Sequence, residues 1–102
     1  MRIVLTTIDT RESAETLAKK IVEQRLAACV NVIDKVISVY WWESEVQTGD
    51  EWLLMIKTMP GHLDALEEFI TEHHPYDLPE FVVLTPGSVS KEYRDWVESS
   101  TR

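Results

Sequence analysis

Between Ala28 and Trp42 the chain reads ACVNVIDKVISVYWW. Val30, Val32, Val36, Val39, Tyr40, Trp41 and Trp42 are strong strand formers. Asp34-Lys35 interrupts them, and the interruption predicts a bulge or bend. The short acidic stretch Glu43-Ser44-Glu45 follows. A second strand then begins at Val46 or Glu51 and continues through Trp52, Leu53, Leu54, Met55 and Ile56 to Thr58. The two segments read as one long hairpin. Extended, Val30 to Trp42 would span ~43 Å, whereas a compact chain of this length is only about 33 Å across. The hairpin must bend or project. Ile37, Val39 and Trp41 alternate onto one of its faces, and Val36, Tyr40 and Trp42 onto the other. One face can meet the protein's own helices; a bare apolar ribbon on the other side is an association surface. The segment therefore predicts an oligomer that buries Val39, Tyr40, Trp41 and Trp42, together with Trp52 from the second strand.

Outward from the hairpin, the remaining elements follow from periodicity. Arg2 to Ile8 is an apolar, β-rich run. Asp9, three residues before Glu12, resembles a capping box. Ala14, Leu17, Ala18, Ile21 and Val22 then recur at helical spacing, and the helix ends near Arg25. After Pro60-Gly61, the residues Leu63, Leu66, Phe69 and Ile70 mark a second helix, which His74-Pro75 closes. Phe81 to Leu84 suits a short buried strand. Ser90 is placed to cap a last helix with Tyr93, Trp96 and Val97 on one face. The order strand, helix, strand, strand, helix, strand predicts an α+β, ferredoxin-like βαββαβ sandwich with a C-terminal helix, and residues 1–102 as one domain. Right-handed crossovers would put both main helices on one face of the sheet.

Ten basic against eighteen acidic side chains give a net charge of −8. That field repels polyanions, and with no basic cluster it argues against nucleic acid as a partner. No stretch approaches the ~20 apolar residues of a membrane span. The amino terminus carries no signal-peptide pattern, and Cys29 has no second cysteine to pair with. These features predict a cytoplasmic protein without a disulfide.

Few residues offer chemistry. Cys29 reads as a small buried hydrophobe. His73 and His74 fall in the last turn of a helix, where imidazole meets exposed carbonyls, with metal or ligand contact as the alternative. Side chains of adjacent helical residues point about 100° apart, which disfavours joint chelation. No Cys-x-x-Cys, His-Glu-x-x-His or EF-hand spacing is present, and no glycine-rich phosphate loop. The loop Ile8-Asp9-Thr10-Arg11-Glu12 carries two carboxylates and no glycine, which disfavours the phosphate chemistry of an acylphosphatase on this same fold plan. The expectation is a protein without catalytic activity.

Five segments, in order, bear a resemblance. They are Arg25-Leu26-Ala27-Ala28-Cys29-Val30-Asn31-Val32, Ser38-Val39-Tyr40-Trp41-Trp42, Leu53-Leu54-Met55-Ile56-Lys57-Thr58, His74-Pro75-Tyr76-Asp77-Leu78-Pro79-Glu80 and Tyr93-Arg94-Asp95-Trp96. Across the whole chain the set resembles the CutA family of divalent-cation tolerance proteins. The resemblance implies a cytoplasmic homotrimer joined through strand edges. It also implies an association with copper or another divalent cation that is not an essential cofactor, and a metal or small-ligand site in the clefts between subunits. Its trimer resembles that of PII-type signalling proteins, so a structural or signalling hub is the alternative. The metal-binding residues it points to are Cys29 and one of His73 and His74. A further cysteine of some members is matched here by Thr6 or Thr7. Where many members have Gly-Lys at the hairpin tip this chain has Ser44-Glu45, which predicts a different, more acidic turn.

Overall fold

A computed structural model describes residues 1–102. The elements are β1 (Arg2–Ile8), α1 (Arg11–Glu23), β2 (Cys29–Trp42), β3 (Glu45–Thr58), α2 (Leu63–His73), β4 (Val82–Leu84) and α3 (Lys91–Ser100), with a 3₁₀ turn at Pro60–His62 before α2. The four strands form one antiparallel-paired sheet in the order β2-β3-β1-β4. This is the α+β, ferredoxin-like plan that the periodicity predicts.

One face of the sheet carries the core. Val4, Ile8, Leu54 and Ile56 alternate inward from the two central strands and meet Ala14, Leu17, Ala18 and Ile21 of α1 and Leu66 and Ile70 of α2. Both main helices thus lie on one face. Burying a side chain such as Leu66 or Ile70 contributes about 1.5–3 kcal/mol each.

The helix starts differ from the sequence reading. Thr10, not Asp9, caps α1: its hydroxyl accepts from the Ser13 N–H at 3.0 Å. Ser90 stands at the N-cap of α3 in extended conformation, but its side chain makes no capping bond. At the other end of α1, the Leu26 N–H reaches the Ile21 carbonyl and the Arg25 N–H the Val22 carbonyl. Arg25 sits at φ 57°. This is a Schellman closure with arginine where glycine is usual.

The hairpin is longer than the sequence suggests. β2 and β3 each run 14 residues. β3 begins at Glu45, and only Glu43 and Ser44 connect the strands, at φ 50° and 67°. Two successive positive φ values make a type I′ turn, so the tip adopts the backbone that glycine favours without containing glycine. The predicted interruption at Asp34-Lys35 is a bulge. Ile33 pairs with Leu53 and Val36 with Glu51, leaving two residues opposite one. Lys35 takes φ 50° there, and the Trp52 indole N–H donates to the Asp34 carboxylate.

Beyond the bulge the ribbon leaves the body of the protein. β1 pairs with β3 only as far as Ile8 opposite Trp52, and no residue from Ile33 to Glu51 joins the core. The longest dimension is 44 Å against 27 and 23 Å for the others. Of the two outcomes the length allowed, projection is the one adopted. The expectation that one ribbon face would meet the protein's own helices is corrected: the helices cover only its base, and both faces of the distal part are open. Ile37 and Trp41 are each 74% exposed and Val39 65% on one face, with Tyr40 and Trp42 near half exposed on the other. Trp52, by contrast, packs against the core as a partly buried residue. At the opposite edge, Val82, Val83 and Leu84 of β4 are also exposed, so the strand predicted as buried is a bare sheet edge.

Candidate functional site

The metal-ligand candidates do not meet within one chain. Cys29 opens β2 in the cross-strand row Ile3–Lys57–Cys29. His74 bonds to the backbone at Thr7, four residues further along β1 and about 13 Å away at the rise of a strand. No three of the histidine, cysteine and carboxylate side chains converge as a metal site would require.

The two histidines part company. His73 is exposed and stacks on Phe69, with ring centroids 4.2 Å apart. His74, the residue after α2, is buried. Its backbone N–H closes α2 on the Ile70 carbonyl, while its ring serves carbonyl and amide groups outside the helix. Nε2 lies 2.8 Å from the Thr7 carbonyl oxygen, and Nδ1 is 3.1 Å from the Tyr76 amide nitrogen. A carbonyl can only accept and an amide N–H can only donate, which fixes the neutral imidazole with its proton on Nε2. Both ring nitrogens are used, and neither is free for a metal. The ring ties the 75–80 segment to the end of β1. Thr6 points into the core with a hydroxyl that has no partner, whereas Thr7 lies on the opposite face of β1.

That tie builds a cleft. Where β1 ends and the ribbon continues, the segment after α2 folds across the gap. A cavity of ≈ 710 Å³ opens between Tyr40, Trp41, Trp42 and Gly49–Glu51 on the ribbon, Thr7 and Asp9 after β1, and Pro75–Leu78 with Glu80. This volume lies in the range of small-molecule sites. Five carboxylates line it and no lysine, arginine or histidine does. Of the five, only Asp50 has a cationic partner, Lys35 at 3.6 Å. The Tyr76 hydroxyl donates to Glu51 Oε2 at 2.7 Å, bracing the loop against the ribbon. Burial first, then the bond to Glu51 and the charges of Glu51 and Asp9, push the phenol well above the ordinary tyrosine range. Tyr76 is therefore a fixed neutral donor.

The sequence alone does not single out this cleft. Its walls come from four separated segments, and no local pattern within any one of them marks a site. The predicted ribbon residues Tyr40, Trp41 and Trp42 do border it, whereas Val39 and Trp52 do not. Cys29, His73 and His74 are absent from its lining as well.

A family model described as CutA1 divalent ion tolerance protein matches residues 2–100. The chain is 43% identical over 100 residues to Protein CutA 1, chloroplastic, of Oryza sativa subsp. japonica, covering 98% of this chain and 56% of that protein. It is 41% identical over 99 residues to the divalent-cation tolerance protein CutA of Thermus thermophilus, covering 97% of this chain and 96% of that protein. The chain thus spans little more than half the length of the plant relatives. Among solved structures, CutA1 from Oryza sativa superposes with a TM-score of 0.96 at 42% identity, over 99% of this chain and 93% of that one. The divalent cation tolerance protein of Thermus thermophilus superposes with a TM-score of 0.95 at 41% identity, over the full length of both chains.

Proposed function

The chain belongs to the CutA1 divalent ion tolerance family, and from that premise we propose that it is a non-catalytic, cytoplasmic homotrimer that binds a metal ion or small ligand where subunits meet. The observation that carries the reading is the ribbon. Ile37, Val39, Trp41 and Val46 stand 57–74% exposed on one face of it, a continuous apolar stripe that water penalises and a sister subunit would cover. The bare edge of β4 offers unpaired backbone groups of the kind that a strand from another copy satisfies.

Divalent copper favours imidazole and carboxylate oxygen, and cuprous copper favours thiolate. Cys29 and His73 offer such donors but stand apart in one chain. A site that uses them draws on more than one subunit, or else copper meets only scattered carboxylates. The second reading, a trimeric hub with metal binding incidental, is favoured by that same scatter.

Light scattering on a sizing column tests the assembly, with the mass of three chains as the expected result; a single-chain mass at micromolar concentration refutes it. Calorimetric titration of the trimer with Cu(II), on the parent, Cys29→Ala and His73→Ala, tests the metal. A stoichiometric site that weakens tenfold or more in either variant supports a specific site. Equal weak binding in all three leaves the hub reading standing.

A further inference from the structure

The cleft has features that a bare metal ion does not require. It is far larger than an ion, and its carboxylates do not converge on one point. Register places Tyr40 and Trp42 on the same side of the ribbon as Glu51, since Val36 faces Glu51 and Tyr40 faces Gln47. The Tyr76 ring closes the other side through its bond to Glu51. Aromatic faces are negative at their centres, and a cleft walled by them and rimmed by carboxylates attracts a cation with an apolar body.

The geometry points to an organic ammonium ligand, with charges spaced along an aliphatic chain, held in the cleft between the ribbon and residues 75–80. The aliphatic stem lies against Tyr40, Trp42 and Tyr76. The ammonium groups meet Asp77 and Glu80 on the loop and Asp9 after β1, none of which has a cationic partner within the chain. Glu51 is already held by the Tyr76 hydroxyl, so it orients the ring rather than the ligand. The assignment narrows the small-ligand reading above to a cleft whose ribbon wall includes Trp41 of the apolar stripe on which subunits meet, and it rests on that reading.

Spermidine is the probe, titrated into the full-length protein at fixed ionic strength and followed by calorimetry and by tryptophan fluorescence. One-to-one binding per chain is expected, with a change in emission because Trp42 borders the site. Asp77→Asn and Glu80→Gln should each weaken binding at least fivefold. Glu68→Gln, on the exposed surface of α2 away from the cleft, should leave it within twofold, and Tyr40→Leu should weaken it with the carboxylates intact. Magnesium at equal charge concentration should not displace the probe. Absence of binding overturns the assignment, and so does loss in Glu68→Gln as large as in Glu80→Gln, or displacement by magnesium, since each means diffuse attraction to an acidic protein. Light scattering on the same samples separates this failure from failure of the assembly: a trimer that ignores spermidine refutes only the ligand.

Discussion

Thr6 is the one fully buried residue whose hydroxyl finds no partner. It lies on the core side of β1 beside Leu54, where the environment asks for a methyl group. A buried hydroxyl without a partner costs about 1–3 kcal/mol, and an isosteric apolar replacement removes that cost. Thr6→Val should therefore raise stability by about 1–2 kcal/mol, read as a higher denaturant midpoint at unchanged m-value and fixed protein concentration. An unchanged or lower midpoint would mean that the hydroxyl has a partner after all. Tyr76 is the opposite case, a polar group whose bond matters. In the folded protein burial and the bond to Glu51 raise its pKa above the usual value of 10.0, while the unfolded chain releases the proton at the usual value. Above that pH the unfolded state binds fewer protons than the folded state, so stability falls as pH rises. This contribution is complete below pH 10 and fades above it. Tyr76→Phe should flatten the alkaline limb of a stability–pH curve between pH 10 and 12; parallel limbs would refute the account.

At the scale of elements, the hairpin tip carries the clearest strain. Glu43 and Ser44 occupy left-handed φ, at a cost of order 1 kcal/mol or more for a residue with a Cβ. Ser44→Gly should stabilise the protein by about 0.5–1 kcal/mol, measured by thermal unfolding, and an unchanged melting temperature would show that the tip frays free of strain. The tip also marks where the sequence stops being legible. Helix α1 can be read because Ala14, Leu17, Ala18 and Ile21 face a core, and burial writes a period into the sequence. The start of β3 cannot, because Gln47, Thr48, Gly49 and Asp50 lie on a ribbon with no core beneath it, and nothing selects an alternation there. The bulge is visible as polar residues inside a β-rich run. Its length, two residues against one, depends on the pairing with β3 and is not local. The cap at Thr10 is hidden because Asp9 and Glu12 imitate a capping box one residue early. The cleft joins residues 7, 40 and 76, and only the fold brings them together; the His74 bonds that hold it in shape look, in the sequence, like an ordinary helix end.

For the whole molecule the question is what covers the ribbon. Apart from the bare β4 edge, the body of the protein packs a core of its own that joins both main helices to β1 and β3. The ribbon does not, because helices α1 and α2 cover only its base. Two forces then act on any pair of copies. Each chain carries a net charge of −8, which opposes approach, whereas burying Trp41, Ile37 and Val39 favours it by about 25 cal/mol per Å² of apolar surface. Charge repulsion is screened over about 10 Å at 0.1 M salt, while apolar burial is not weakened by salt. Association should therefore tighten as salt rises from about 20 to about 500 mM, the reverse of an assembly held by ion pairs. Placing a carboxylate at the centre of the stripe adds both a desolvation cost and a like charge. Trp41→Asp and Val39→Asp should each dissociate the assembly to single chains in light scattering, with the far-ultraviolet circular dichroism unchanged because neither side chain touches the core. Tip substitution by Ser44→Gly should leave the mass of the assembly as it is. If Trp41→Asp keeps the parent mass at micromolar concentration, the stripe is not the surface on which copies meet.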